Sequence, residues 1–166
     1  MGYDTDIKIS LEGREELNAI INRVDKKVRK KLLIKVFRQS AKPLVKEAKR
    51  LAPKSHKKSY IVAHGDIRKK VRYTRLVTHR AGELKRSIGV IVGKGPVASV
   101  FVGPRKGGIK ANDGWYAHFV EFGTVKQKAQ PFMRPAWDKT NKEIESQIYS
   151  GVEKAVEEEV KKGGKV

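Results

Sequence analysis

Apolar and polar positions along this chain change period several times, and each change marks an element. Ile7, Ile9 and Leu11 alternate with Lys8 and Ser10, the two-residue period of a half-buried strand. Leu17, Ile20, Ile21, Val24 and Val28 then fall three and four apart, and Leu32, Leu33, Val36 and Phe37 extend that stripe, as one apolar helix face requires. Pro43 removes a helical hydrogen bond and crowds the preceding turn, so the spacing predicts a kink near Ala41 or a second helix starting there. Leu44, Val45, Ala48 and Leu51 form the buried side of that second segment, which Pro53 ends.

From 54 to 81 the pattern is weak. Tyr60, Ile61 and Val62 sit among cations, and so long an irregular connection is uncommon in a compact domain. The stretch reads as a protruding hairpin or a loop with its own role, and a mobile basic arm is the preferred form. Gly82 to Ser87 suits a short helical turn. Two β-branched runs, Ile88 to Val92 and Val97 to Val102, flank Gly93-Lys-Gly-Pro96 and predict a hairpin. Gly103 to Gly114 reads as a surface loop. The block Trp115 to Phe122 is expected in the core, with Gly123 and Thr124 as a turn behind it. Pro131 and Pro135 hold the chain extended and start a last helix, along which Trp137, Ile144, Ile148, Val152, Ala155, Val156 and Val160 recur at helical intervals. Its final turns are expected to fray, and 161–166 to be a flexible tail. The expected architecture is α+β: one domain over 1–166, with a small, mainly antiparallel sheet covered on one face by long N- and C-terminal helices.

Composition narrows function. The chain has 166 residues and no Cys, which excludes disulfides, thiolate metal sites and a cysteine nucleophile. No apolar run is long enough to span a membrane, and no membrane partner is expected. A net charge of +20 attracts phosphate backbones or acidic partners. Cations recur from Lys26 to Arg50 and again from Lys54 to Arg86, whereas Glu153, Glu157, Glu158 and Glu159 make the tail acidic, so one end could meet the other end of a neighbour.

Catalytic signatures are missing. None of the serines sits in a Gly-x-Ser-x-Gly elbow, and Gly93-Lys-Gly and Lys106-Gly-Gly lack phosphate-loop spacing. His118 and Glu121 stand three apart, a weak metal signal that His56, His64 and His79 do not extend. No enzyme activity, metal or cofactor is expected. Glu121, between Val120 and Phe122, should face solvent or pair with a base such as Arg134. Phe132 and Arg134 are the preferred interface anchors, alongside Glu121, Phe122, Gly123 and Thr124, because a loop held at both ends meets a partner at low entropic cost.

Four strings in order carry a family resemblance: Leu51-Ala-Pro53, Thr78-His-Arg-Ala-Gly-Glu-Leu-Lys-Arg-Ser-Ile88, Tyr116-Ala-His-Phe-Val-Glu-Phe-Gly-Thr124 and Ala129-Gln-Pro-Phe-Met-Arg-Pro-Ala136. Together they resemble the tail-completion or head-tail joining proteins of long-tailed bacteriophages. The resemblance implies a structural virion protein, made in the host cytoplasm, that forms a six-subunit ring at the junction between the neck and the tail tube. It implies a connector on the head side, a tail tube or tail terminator protein on the tail side, and DNA passing through the ring. The basic stretch from Pro53 to Thr78 is longer than the family's pattern. Lys57, Lys58, Arg68, Lys69, Lys70, Arg72 and Arg75 are expected there to contact genomic DNA without sequence preference, or an acidic neighbour. The alternative is a basic, sequence-independent nucleic-acid-binding protein.

Overall fold

A computed structural model describes residues 7–8, 22, 26–54, 59–66, 71–105 and 114–161. Of the expected helix before Lys26 only Asn22, which is helical, is described, and the tail 162–166 lies outside the described residues. The fold is α+β, in the order β1 (Ile7–Lys8), α1 (Lys26–Ser40), α2 (Lys42–Leu51), β2 (Ser59–Asp66), β3 (Val71–Arg80), α3 (Glu83–Ser87), β4 (Ile88–Val92), β5 (Val100–Pro104), α4 (Ala117–Phe122) and α5 (Met133–Lys161).

Pro43 acts as its chemistry requires. It stands in the first turn of α2, where a missing N–H costs little. Ala41 keeps helical torsions, its N–H donates to the Phe37 carbonyl at 3.0 Å, and its own carbonyl accepts from Val45 at 3.1 Å. The two segments therefore run on with a kink rather than a break. Val36, Phe37, Ala41, Leu44 and Ala48 are buried along one side of the pair.

That side packs on α5 in antiparallel sense: Glu47 meets Lys139 near the start of α5, and Val36 meets Gly151 farther along. In α5 the buried positions Ala136, Thr140, Ile144, Ile148, Val152 and Val156 step by four, so the contact line winds around the helix as i±4 ridges do. Thr140 is buried without penalty because its hydroxyl donates to the Ala136 carbonyl at 2.8 Å. A Cβ on Gly151 would lie 2.8 Å from Val36 Cγ1, so a side chain here would push α1 and α5 apart. Of the helically spaced positions read from sequence, Ile144, Ile148, Val152 and Val156 are buried, and Trp137 and Ala155 are half-buried.

A three-stranded sheet, order β1-β5-β4, closes the core from the other side, with both pairings antiparallel. Val90 sits opposite Val102 and Val92 opposite Val100, and Ile88, Val100 and Val102 are buried with Leu44 and Ala48 in one cluster. The second strand of this hairpin begins at Val100, three residues later than the apolar run suggests. Val97 is instead in the connection, 74% exposed, because the Gly93 N–H to Ser99 carbonyl bond closes the loop there.

Strands β2 and β3 form a separate two-stranded antiparallel ladder, pairing Ser59 with Arg80 through His64 with Arg75, then shifting register before Asp66 and Val71. Of the two readings for the basic stretch, the hairpin is the one the backbone adopts. The irregular loop gives way to pairing because Tyr60, Ile61 and Val62 stand opposite His79, Thr78 and Val77, β-rich runs whose backbone groups satisfy each other. Among the described residues no helix is long and apolar enough to cross a membrane.

Charge also joins the helices. Glu47, the acidic residue of α2, is 8% exposed and accepts from Arg50 at 2.9 and 2.8 Å and from Lys139 at 2.9 Å. The Arg50 guanidinium first, and then the Lys139 ammonium, hold its carboxyl at about 2 rather than the ordinary 4.5. A carboxylate depressed in the folded chain stabilises fully above its unfolded value, and that contribution disappears as pH falls.

Two outcomes follow from this packing. Acid titration of unfolding stability should show a component lost between about pH 4.5 and about pH 2 that Glu47→Gln no longer displays. Gly151→Val should lower the urea unfolding free energy by about 1–3 kcal/mol, and adding Val36→Ala should return part of that loss.

Candidate functional site

A six-residue helix has too few backbone bonds to stand alone, so α4 is held by what flanks it. Ala117 N–H donates to the Gly114 carbonyl at 3.0 Å and Phe119 N–H to the Tyr116 carbonyl at 3.0 Å. Ala117, Val120 and Glu121 face inward. Trp115, Phe119 and Phe122, spaced four and three apart, share the opposite side and are 48%, 40% and 55% exposed. The Trp115 and Phe119 rings meet edge to face with centroids 6.1 Å apart. The aromatic block expected in the core thus divides: small and β-branched residues take the inside, and the large rings form an outer stripe.

Glu121 decides how this stripe is presented. Its Oε2 accepts from the backbone N–H of Phe132 at 2.8 Å and of Met133 at 3.0 Å, and its Oε1 from that of Arg134 at 3.1 Å. These are the first three of the four amide positions that a helix start leaves without intrahelical partners, and the fourth, Pro135, has no N–H. One carboxylate from α4 therefore satisfies the whole N-terminus of α5, where the helix dipole also favours negative charge. The expected choices for Glu121, solvent or the Arg134 side chain, are both replaced. It is 6% exposed, and its partner on Arg134 is the backbone amide, while the guanidinium points outward.

The connection between the helices is fixed just as closely. Gln130 N–H donates to the Val120 carbonyl at 2.8 Å, and Thr124 and Gln127 exchange backbone bonds of 2.8 and 3.2 Å around a two-residue tip, Val125-Lys126. Gly123 has φ 77° and ψ −178°, and a Cβ there would stand 2.7 Å from Ala129 N and 2.8 Å from Gln127 O, both backbone atoms. Only glycine fits. The tip itself is outside the fold: Val125 is fully exposed, and Lys126 and Lys128 are exposed beside it.

Of the proposed interface residues, Phe122, Thr124 and Arg134 have exposed side chains, and Gly123 shapes the loop from within. Phe132 does not fit the anchor role. It is 1% exposed, drawn into the core with Met133 because both amides are tied to Glu121. Trp115 and Phe119 are the surface residues that the sequence reading assigned to the core. Their four-three spacing with Phe122, against Ala117 and Val120 on the other side, was the available signal.

Lys57, Lys58, Arg68, Lys69 and Lys70 lie outside the described residues. Arg72 and Arg75 stand on β3, Arg75 opposite His64 in the ladder. The His118-Glu121 pair is not a ligand set, since Glu121 is committed to three amides and the His118 Nδ1 lies 3.0 Å from the Trp115 carbonyl. Among the described residues no three His, Cys, Asp or Glu side chains are grouped to hold a metal. What the arrangement offers chemically is a rigid, partly apolar, cationic corner suited to docking.

A family model described as "Bacteriophage HK97-gp10, putative tail-component" matches residues 15–123, more than half of the chain. The matched segment ends at Gly123, so it includes Glu121 but not the amides that Glu121 binds. No curated protein and no solved structure matches the chain.

Glu121→Ala should lower unfolding free energy by about 3 kcal/mol in urea denaturation, since it strips a cap and leaves further amides without acceptors. Glu121→Gln should be destabilising too, because an amide NH₂ replaces one of the two accepting oxygens. If Glu121→Gln unfolded like the native chain, the three bonds would carry no weight.

Proposed function

The chain belongs to the HK97-gp10-like family of bacteriophage tail components, and we propose that within the virion it forms a homo-oligomeric ring, of six subunits, at the junction between head and tail. In this reading the ring completes the tail and connects it to the head, with a connector on one side, a tail tube or terminator protein on the other, and DNA passing through the middle. Its work is mechanical: it makes and keeps contacts, and transforms no substrate.

The observation that supports this reading is the locked aromatic corner. Large apolar side chains are rarely left exposed together on a fold with an adequate core, and a cluster of them on a rigid support marks a protein contact. Trp115, Phe119 and Phe122 are such a cluster, with Val125 beside the same loop. Trp and aromatic residues at the centre of an interface contribute most of its binding energy, and cations at the rim set orientation and encounter rate. Arg134, Lys126 and Lys128 supply that rim. The loop is ordered before a partner arrives, so association has less conformational freedom to remove.

The experiment is direct. Phe119→Ser with Phe122→Ser should lower the circular dichroism melting temperature only modestly, because neither side chain belongs to the core, while abolishing rings in negative-stain electron micrographs and blocking the joining of heads to tails. Normal rings and normal joining with this double variant would overturn the assignment of the corner as the subunit contact.

A further inference from the structure

The helix pair α1–α2 carries a second surface that the docking corner does not use. Lys31, Lys35, Arg38, Lys42, Lys46 and Lys49 follow one another at intervals of four, three, four, four and three. At 3.6 residues per turn these six fall within an arc of about 80° and extend over about 27 Å along the axis. The bonds through Ala41 carry the helix across the kink, so the row is continuous. Val36, Phe37, Leu44 and Ala48 occupy the opposite side, buried against α5 and the sheet.

The row is also chemically free. Five of its members are exposed and Lys49 is partly so. Among the described residues none of the six makes a hydrogen bond or ion pair. The acid nearest in sequence, Glu47, faces the other way and is taken by Arg50 and Lys139. Glu158 and Glu159 lie across an open cleft from Lys31, Lys35, Arg38 and Lys42, without closing to an ion pair. Isolated surface lysines are ordinarily just solvated, but six like charges in file repel one another, and that repulsion is relieved by an equally regular line of anions.

We propose that this row binds the phosphate backbone of duplex DNA, without reading bases. Phosphates recur every 3.4 Å of axis along each strand, so a cationic row of this length covers the axial rise of about eight of them. A membrane is a poorer fit, because an interfacial helix must offer its apolar side to lipid and here that side is the core. An acidic protein is the competing occupant, since Val28, Leu32, Ile34, Val90 and Ala155 line the cleft beside Lys31, Lys35, Arg38 and Lys42, but the row runs on past that cleft through Lys46 to Lys49, which an extended line of phosphates matches. The site is distinct from the β2–β3 hairpin cations and requires no ring, so its failure and that of the ring reading are separable.

The test uses the full chain, a labelled duplex of arbitrary sequence and fluorescence anisotropy over a series of salt concentrations. Log affinity should fall against log salt with a slope of about −5 or steeper for six phosphate contacts. Arg38→Gln, Lys42→Gln and Lys46→Gln together should reduce that slope by about 3, whichever duplex sequence is used. A control removing three exposed charges elsewhere, Lys94→Gln, Lys142→Gln and Lys161→Gln, should leave the slope nearly unchanged. All variants are checked by thermal melting, and single Lys46→Gln, at a solvated helix position, should lower the slope by about 1 even if the triple variant folds poorly. Equal slopes for native and Lys46→Gln chains, an equal fall in the control, or tighter binding of polyglutamate or anionic vesicles than of duplex at matched salt would overturn the proposal.

Discussion

A single carboxylate spanning two helices is the constraint from which the rest of this structure takes its geometry. Glu121 belongs to a helix too short to persist alone, and it caps a helix of 29 residues that begins twelve positions later. The bond set runs both ways: α5 gains a fully satisfied N-terminus, and α4 gains an attachment that its six residues could not provide. Because the capping group comes from outside, Phe132 and Met133 can enter the core directly beneath the helix start. The same geometry turns Phe119 and Phe122 outward, since Ala117, Val120 and Glu121 use up the inward arc of α4.

Farther along α5, different forces take over in sequence. Near its start Glu47 joins it to α2 through Lys139, midway Gly151 lets it approach Val36, and beyond that Val152 and Val156 continue the apolar contact. Charge orients one end, shape sets the spacing in the middle, and apolar burial supplies the main driving force throughout. The division leaves the outer side of α1–α2 free of structural duty, which is why its cations can remain unpaired.

Much of this was readable from the amino acids. The antiparallel sheet, the paired helices around Pro43 and the long last helix follow from period and from proline chemistry, both local. What escaped was set by contacts distant in sequence. Glu121 looked like a surface acid or an ion-pair partner because its donors, three backbone amides, leave no mark in residue identity. Phe132 looked like an anchor because proline-flanked aromatics often are, yet the cap beside it draws it inside. Trp115 and Phe119 were placed in the core on average behaviour, although their spacing with Phe122 already traced one helical side. The β2–β3 ladder was obscured by charge density: cations masked a pattern that backbone pairing tolerates. The resemblance to phage tail proteins came from short strings, and it is the part of the functional reading that the family match bears out at the level of a tail component.

The tip at Val125-Lys126 sits beyond two independent closures, the Thr124–Gln127 bridge and the Val120–Gln130 bond. Nothing inside the fold leans on those two side chains, so their replacement, or lengthening of the turn, leaves both helices undisturbed and costs little closure entropy. Substitution can therefore retune what this knob reaches while the scaffold stays constant.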